Sequence, residues 1–181
     1  MVEVVAWSVT WSRDFERVAA GLRTALATVP GARVEHVGST SVPGLAAKPI
    51  PDIDVIVSRD SVPAAVEALA AIGYAHRGDT GVTGREAFFA PDESPRRNVY
   101  VCENGTTNVR NHLAVRDTLK ARDDLRDAYA DVKLSLAEDP VMDIDTYIAR
   151  KFAVLQRVLE ASGEFSAAEL AAIRRLNDPD G

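Results

Sequence analysis

The sequence predicts an α/β (α+β) fold in which helices flank a mixed β-sheet and the C-terminal third is helical. Short apolar runs, separated by turns that contain Gly or Pro, indicate several strands in the first 113 residues. Apolar residues at helical spacing dominate the rest of the chain. The 181 residues suffice for one domain with a sizeable core. We therefore predict a single domain over 1–181, with a sheet core at about 1–113 and C-terminal helices at about 114–177.

The first half of the chain is predicted to mix helices and strands. Phe15, Val18, Leu22 and Leu26 recur at the spacing of one helix face. Glycine and proline mark the ends of elements. The predicted elements are, in order, a strand or extended arm over 2–6, a helix that Ser12 caps and Pro30-Gly31 ends, a strand over 34–37, a buried strand over 53–57, a helix over 61–72 that Gly73 ends, and strands over 74–76, 86–90 and 98–102.

The last third is predicted to hold three helices. One long amphipathic helix is expected over 115–137, where Pro140 then breaks the chain. A second starts at Asp145 and carries Ile148, Phe152, Leu155 and Leu159 on one face. The last begins at Ser166, with Glu169 completing a capping box. The tail from Asn177 is expected to fray.

Charge and composition narrow the class of protein. The chain has 21 basic and 27 acidic residues, a net charge of −6, which argues against nucleic acid or an anionic membrane as the main partner. The single cysteine, Cys102, excludes an internal disulfide and a Cys-rich zinc site. Glu3 and Arg13 interrupt any N-terminal apolar run, and no stretch approaches the ~20 apolar residues of a membrane span. We expect a cytoplasmic protein.

Candidate chemistry is concentrated in residues 35–57, EHVGSTSVPGLAAKPIPDIDVIV. A strand leads into Gly38-Ser39, where glycine permits close approach of the backbone to a phosphate and serine adds a hydroxyl donor. A second strand then presents Asp52 and Asp54, which face the same way because strand residues i and i+2 share a face. Two adjacent carboxylates suit Mg²⁺ (or Mn²⁺), which bridges nucleotide phosphates.

Simpler explanations exist for each part of this pattern. A Gly-Ser pair is usually a turn, and an Asp-x-Asp is usually a solvated strand edge. Two carboxylates on an otherwise apolar strand are costly, however, unless they are paired or bind a metal. A Walker A motif and a Gly-x-Gly-x-x-Gly fingerprint are both absent, which argues against a P-loop kinase or a Rossmann cofactor site.

The segment HVGSTSVPGLAAKPIPDIDV resembles the signature of the GrpB family, in the DNA-polymerase-β-like nucleotidyltransferase superfamily. Further resemblance covers most of the chain: Trp11 and Phe15, the Arg-x-x-Phe strand at Arg85 and Phe88, the Arg-Asp pair at Arg116 and Asp117, and the element formed by Tyr147, Lys151 and Phe152. The resemblance implies a nucleotidyltransferase-like fold and a transferase activity without an assigned substrate. Relatives fused to dephospho-CoA kinase suggest a link to coenzyme A.

The superfamily also implies a third carboxylate on a neighbouring strand, as general base or metal ligand. Glu86 and Glu103 are the candidates. Similar proteins carry histidines in the strand that here reads RNVYV, whereas this chain has Asn98 and Tyr100 on one strand face. This departure weakens a metal or proton-transfer role for that strand.

Several other residues could contact a nucleotide. We expect phosphate contacts from Gly38, Ser39, Thr40, Lys48, Arg85 and Arg116, although Lys48 could equally be a solvated loop lysine. Arg110 and Arg116 could instead pair with nearby aspartates. His36 is expected to pack on its strand. Tyr129 with Lys133, and Tyr147 with Lys151, share helix faces at i, i+4 spacing, and packing with the lysine reaching toward solvent is favoured over a ligand role.

Three hypotheses about function follow. The first is an enzyme that uses Asp52 and Asp54 to bind Mg²⁺ and an NTP and transfers a nucleotidyl group to a small acceptor. The second is a non-catalytic protein of the same fold that binds a nucleotide or a coenzyme A precursor, which the lack of a third carboxylate would favour. A toxin–antitoxin partner is a third, weaker reading.

Overall fold

The computed structural model describes residues 4–138 and 144–176. The described strands form one five-stranded sheet of mixed direction. They are β1 (Arg33–Val37), β2 (Asp52–Val57), β3 (Ala75–Gly78), β4 (Arg85–Phe89) and β5 (Asn98–Glu103). Their order across the sheet is β1-β2-β5-β4-β3. Strands β2 and β5 are parallel and the other neighbours antiparallel, which confirms the predicted mixed sheet.

Helices account for most of the remaining described chain. They are α1 (Val9–Ala25), α2 (Val62–Ala71), α3 (Thr107–Ala121), α4 (Asp123–Glu138), α5 (Ile144–Ser162) and α6 (Ala167–Leu176). The last four confirm the helical C-terminal third. None of the helices in the described ranges combines the length and the apolar character that crossing a bilayer requires.

One face of the sheet packs into the main apolar core. Side chains of β2 and β5, among them Ile53, Val55 and Val101, are fully buried there. They pack with Leu22 of α1 and Leu69 of α2. The alternation of strand side chains therefore directs the residues between them to the other face.

A second apolar cluster holds the loop after β1 against the C-terminal helices. Val42 and Leu45 of this loop pack with Leu119 of α3, Leu125 of α4 and Val158 of α5. All five are nearly inaccessible to solvent. This packing brings the Gly38-Ser39 turn, which lies at the start of the loop, close to α4.

The single long helix predicted over 115–137 is in fact two helices, and the first starts earlier than expected. The Thr106 side chain caps α3 by accepting from the Val109 amide at 3.5 Å. Arg122 then leaves helical geometry, with φ −126° and ψ 94°. Asp123 and Asp124 open α4, where acidic residues are favourable at a helix N-terminus. The break lets α3 and α4 pack separately against α5.

The predictions for other element ends were partly correct. Ser8, and not Ser12, caps α1, accepting from the Thr10 amide at 3.2 Å. The N-terminal arm makes an isolated bridge between Val5 and Ala47. The capping box of α6 is confirmed, since the Ser166 amide donates to Glu169 at 2.8 Å and the Glu169 amide donates back at 3.3 Å. The predictions about Pro140, the tail from Asn177 and the Ile148 side chain concern positions outside the described residues.

Candidate functional site

Two carboxylates project from the same face of β2, away from the main core. Asp52 is paired in register with Asn98, and Asp54 with Tyr100, on the parallel strand β5. Ile53, between the aspartates, points into the core instead. Asp54 is completely inaccessible to solvent. The strand pairing therefore gives the two aspartates the shared orientation that the sequence predicts.

Asp52 is in close contact with the turn that follows β1. A Cβ atom at Gly38 would overlap the Asp52 carboxylate and lie 3.1 Å from its Cγ, and Gly38 has φ +68°. Both facts require glycine there. Asn98 Nδ2 donates to Asp52 Oδ1 at 2.8 Å. Burial raises the pKa of Asp52, the Asn98 hydrogen bond lowers it, and the neighbouring Asp54 charge raises it further.

Asp54 has one engaged oxygen and one that has no partner. His112 of α3 donates through Nδ1 to Asp54 Oδ2 at 2.7 Å, which fixes the imidazole tautomer because the carboxylate only accepts. Asp54 Oδ1 is buried and has no hydrogen-bond partner in the described chain. A buried carboxylate oxygen without a donor is costly and is a favourable position for a cation.

The donor set fits a magnesium ion that is shared with a ligand. The described residues contain no group of three or more His, Cys, Asp or Glu side chains arranged to hold a metal by themselves. Mg²⁺ is commonly bound by one or two carboxylates, with phosphate oxygens and water completing its octahedron. Asp52 and Asp54 provide those two carboxylates. The arrangement therefore fits Mg²⁺ bound together with a phosphate chain.

The Gly38-Ser39 turn meets a buried lysine. Lys133 of α4 donates through Nζ to Ser39 Oγ, and its ammonium also lies 4.8 Å from the centre of the Tyr129 ring. Only 8% of Lys133 is exposed. The turn itself is held by a 2.6 Å hydrogen bond from the Ser41 hydroxyl to the Gly38 carbonyl. The site therefore places a cation on the serine hydroxyl that the sequence suggested for phosphate.

The charges of three lysines, Lys48, Lys133 and Lys151, influence one another near Asp52, and we call these residues the lysine cluster. Burial lowers the pKa of Lys133 to about 8, and the charges of Lys151 and Lys48 lower it further while Asp52 opposes them. Burial also lowers the pKa of Lys151, where Asp52 raises it and Lys48 lowers it. Like charges held together in a partly dry environment favour binding of an anion.

Two of the predicted phosphate contacts are occupied by structural partners. Thr40 is 2% exposed, and its hydroxyl lies 3.0 Å from His36 Nε2. Arg116 donates to Glu35 at 2.8 Å, to Asp117 at 2.7 Å and to the His36 carbonyl at 3.2 Å. Because of these contacts, neither Thr40 nor Arg116 is directed at the aspartates. His36 is packed on its strand, as predicted.

Neither candidate for the third carboxylate lies beside the aspartates. Glu86 is paired with Val101 and Glu103 with Val57, so both belong to the opposite face of the sheet. Each also has its own partner, a histidine of β3 at 2.6 Å for Glu86 and an arginine in the turn after β2 at 2.9 Å for Glu103. On the neighbouring strand β5, the residues paired with Asp52 and Asp54 are Asn98 and Tyr100, and neither supplies a carboxylate.

Arg85 does lie on the aspartate face, where it contacts Tyr100. Arg85 is paired with Cys102, and its guanidinium lies 4.6 Å from the centre of the Tyr100 ring. Burial raises the pKa of Tyr100, the charge of Asp52 raises it further, and Arg85 opposes this. Tyr100 therefore stands between the aspartates and Arg85.

Sequence reasoning missed two residues that contact the site. His112 had no local signal, because it lies within α3, far from the motif in the sequence. Lys133 was interpreted as a packing residue, although its i, i+4 spacing with Tyr129 correctly placed both on one helix face. The one sequence feature that favoured a ligand role for Lys133 was its position beside Tyr129 on one face of an amphipathic helix.

Comparison with known proteins places the chain among a group of bacterial sequences. A family model described as "GrpB protein" matches residues 1–161. UPF0157 protein BH1888 of Halalkalibacterium halodurans is 33% identical over 161 residues, covering 88% of this chain and 81% of that protein. UPF0157 protein YqkA of Bacillus subtilis is 32% identical over 153 residues, 83% of this chain and 44% of that protein. A dephospho-CoA kinase of Mycolicibacterium paratuberculosis is 31% identical over 169 residues, 78% of this chain and 41% of that protein.

Solved structures show the same fold. The crystal structure of conserved protein GrpB from Enterococcus faecalis matches with a TM-score of 0.73 and 31% identity, covering 88% of this chain and 96% of that one. Cid1 poly(U) polymerase bound to MgATP matches with a TM-score of 0.60 and 14% identity, covering 84% of this chain and 50% of that one. At such low identity the second likeness shows the fold alone, which is nucleotidyltransferase-like.

Proposed function

The chain belongs to the GrpB family, and we propose that it is a nucleotidyltransferase that binds an NTP with Mg²⁺ (or Mn²⁺) and transfers the nucleotidyl group to a small acceptor. One observation carries the proposal. Asp54 Oδ1 is buried and has no donor among the residues that the structure describes; it lies on the same strand face as Asp52, and Asp52 touches the Gly38 turn. A cation bound there would satisfy both carboxylates and bring a phosphate chain to Ser39 and Lys133.

Different residues of the site would bind the metal and the phosphate oxygens. Asp52 and Asp54 would hold Mg²⁺, and His112 orients Asp54 through Nδ1. A bound Mg²⁺ neutralises phosphate charge and stabilises the displacement. Lys133, with Ser39, would bind phosphate oxygens, and charge-assisted hydrogen bonds of this kind are strong.

The transfer step conserves its atoms. An acceptor hydroxyl oxygen bonds to the α-phosphorus, the bond from that phosphorus to the β-phosphate oxygen breaks, and pyrophosphate leaves. The hydroxyl proton passes to solvent water. The contribution of this chain is to align the groups and to supply opposite charge where charge develops.

A second candidate function is non-catalytic binding of a nucleotide or a coenzyme A precursor. The observation that favours it is the position of Glu86 and Glu103 on the opposite face of the sheet, whereas the residues of β5 paired with Asp52 and Asp54 are Asn98 and Tyr100. The match to a dephospho-CoA kinase makes coenzyme A precursors a reasonable ligand class to include.

Calorimetry and a transfer assay distinguish these functions. We would titrate ATP, UTP and dephospho-CoA into the full chain with Mg²⁺ and with EDTA, and follow transfer from α-labelled NTPs to candidate acceptors. We expect Mg²⁺-dependent NTP binding that Asp52→Asn abolishes while the fold is kept. The matched control is Asp60→Asn, an exposed aspartate in the turn after β2.

The outcomes separate clearly. Mg²⁺-dependent binding with transfer supports the enzyme, and binding without transfer to any acceptor supports the second function. Retained turnover in Asp52→Asn, or NTP binding that is indifferent to Mg²⁺, would refute the proposed site. A ligand at ~100 times its Kd should also stabilise the fold by about 2.7 kcal/mol, which a thermal-shift screen detects.

A further inference from the structure

The aspartate face of the sheet continues past Tyr100 onto β4 and β3, where four side chains alternate cation and ring. Arg85 lies over the Tyr100 ring at 4.6 Å, and Arg77 lies over the Phe89 ring at 4.3 Å. We call these four residues the arginine shelf. Phe89 is 61% exposed, although it is a large apolar side chain. The guanidinium of Arg77 on this exposed ring forms a cation–π contact, which holds the cation on the sheet beside the candidate site.

Arg85 has donor capacity that the protein does not use. Its Nε is buried without a hydrogen-bond partner, and its Nη2 makes a 3.2 Å bond to the Thr80 hydroxyl. Within the described chain it forms no ion pair with a carboxylate. Arg97, Arg110 and Arg116 are half-buried like Arg85, and each is paired with a carboxylate. A guanidinium that is stacked and partly buried but lacks an anion is preorganised to bind one.

Arg77 provides a second guanidinium on the same side. It forms no ion pair among the residues that the structure describes, and its charge acts on Tyr100. The register places Phe89 opposite Ala75 and Ala87 opposite Tyr100. Arg77, in the irregular step between His76 and Gly78, is therefore close to the level of Asp54 along the sheet.

The shelf and the lysine cluster lie on opposite sides of the aspartates. The Ser39–Lys133 contact follows β1, one strand to one side of β2, whereas Arg85 and Phe89 belong to β4, two strands to the other side. Neighbouring strands are ~4.8 Å apart, so the two cationic groups are separated by roughly 10 Å or more. A triphosphate bound at the lysines and the aspartates would leave the shelf free for a second anion.

We infer that the arginine shelf is the acceptor subsite and that the acceptor carries a phosphomonoester group. This inference rests on the proposed function and names the substrate class of the same site. A phosphomonoester offers three acceptor oxygens and close to two negative charges, which matches two guanidiniums better than a single carboxylate does. The subsite would position the acceptor on the β5 side of the aspartates, opposite the leaving pyrophosphate.

NMR titration of the full chain tests this with defined probes. Methyl phosphate and, separately, acetate would be added with Mg²⁺ and a saturating NTP analogue that blocks the lysine side. We expect methyl phosphate to shift the amides of β4, β5 and the 79–84 turn, with acetate binding much more weakly. Arg85→Gln should weaken methyl phosphate binding about tenfold. Arg77→Gln, at an exposed position, should weaken it by a smaller factor.

Controls keep this test separate from that of the proposed function. Arg59→Gln, an exposed arginine outside the shelf, should leave both methyl phosphate binding and the Kd of the NTP analogue unchanged. Equal binding by wild type and both shelf variants, or equal affinity for acetate and methyl phosphate, would overturn the inference. Failure of the NTP analogue to bind would overturn the proposed function instead, and shifts in the amides of β4, β5 and the 79–84 turn would still report methyl phosphate at the shelf.

Discussion

The two faces of the same central strand have opposite characters. On one face, Ile53 and Val55 are fully buried among apolar neighbours. On the other, Asp54 is equally buried but has an oxygen without a donor. Burial of the apolar face is favourable by itself, whereas burial of the carboxylate is unfavourable until something pairs with it. Burial of one face therefore stabilises the fold, whereas the other face carries a buried carboxylate oxygen that a bound cation would satisfy.

The largest effects should come from substituting two adjacent residues of β2, one on each face of the sheet. Asp54→Asn keeps the side-chain shape, so we expect the fold to remain while nucleotidyl transfer falls about a thousandfold or more, because a charge on the reacting phosphates loses its counterpart. Val55→Ala should lower the free energy of unfolding by about 2–3 kcal/mol through the cavity it leaves. The Kd of the NTP should be nearly unchanged in the valine variant.

Urea unfolding measures the free energy of unfolding of both variants, and calorimetry measures their Kd for the NTP. If Val55→Ala weakened nucleotide binding as much as Asp54→Asn does, the two faces would not be functionally distinct.

The next effect concerns pH and the lysine side of the site. Lys133 has its pKa lowered to about 8, chiefly by burial, and an unfolded lysine titrates near 10.4. Between these values the unfolded chain binds more protons, so the lysine's contribution to stability is unfavourable below pH 8 and is relieved as pH rises toward 10.4. NTP affinity should move the other way and fall above about pH 8, because the ammonium that binds phosphate is lost.

Lys133→Gln should weaken NTP binding about tenfold to a hundredfold at pH 7. The variant should also lose the fall in NTP affinity that wild type shows above about pH 8. Calorimetry between pH 7 and 9.5 measures both, with Lys120→Gln as the matched control on α3. An alkaline decline that persists unchanged in Lys133→Gln would show that another group binds the phosphate.

The smallest expected effect concerns the core face of the sheet. It occurs at acid pH, whereas the effects of Lys133 occur at alkaline pH. His36 stacks on Phe15 at 4.5 Å between ring centres, and burial, followed by the charges of Lys120 and Arg116, lowers its pKa to about 4. An unfolded histidine titrates near 6.5, so the unfolded chain binds more protons between these values. Stability should therefore be complete above pH 6.5 and fall by roughly 2 kcal/mol as pH approaches 4.5.

Urea unfolding at pH 7 and 4.5 checks this, and His36→Gln should flatten the difference. NTP affinity in His36→Gln at pH 7 should match wild type. An acid loss of stability that is just as steep without the imidazole would assign it to other groups.

Local patterns predicted the elements more reliably than their ends. The Ser166–Glu169 box and the Gly73 stop depend on neighbouring residues, and both were read correctly. The division between α3 and α4 was missed because the charged sequence around Arg122 is helical in composition, and separate packing against α5 favours the break. The N-cap of α1 was placed one turn late because Ser8 and Ser12 offer the same capping chemistry.

The sequence alone determined that Asp52 and Asp54 share a strand face and that a glycine turn precedes them, because alternation and backbone freedom act over a few residues. Only the tertiary structure decided that Glu86 and Glu103 face away, that His112 reaches Asp54 across 58 residues and that Lys133 reaches Ser39 across 94. Those contacts depend on strand register and on how α3 and α4 pack. A shift of one residue in register would reverse every face, and no local pattern records that choice.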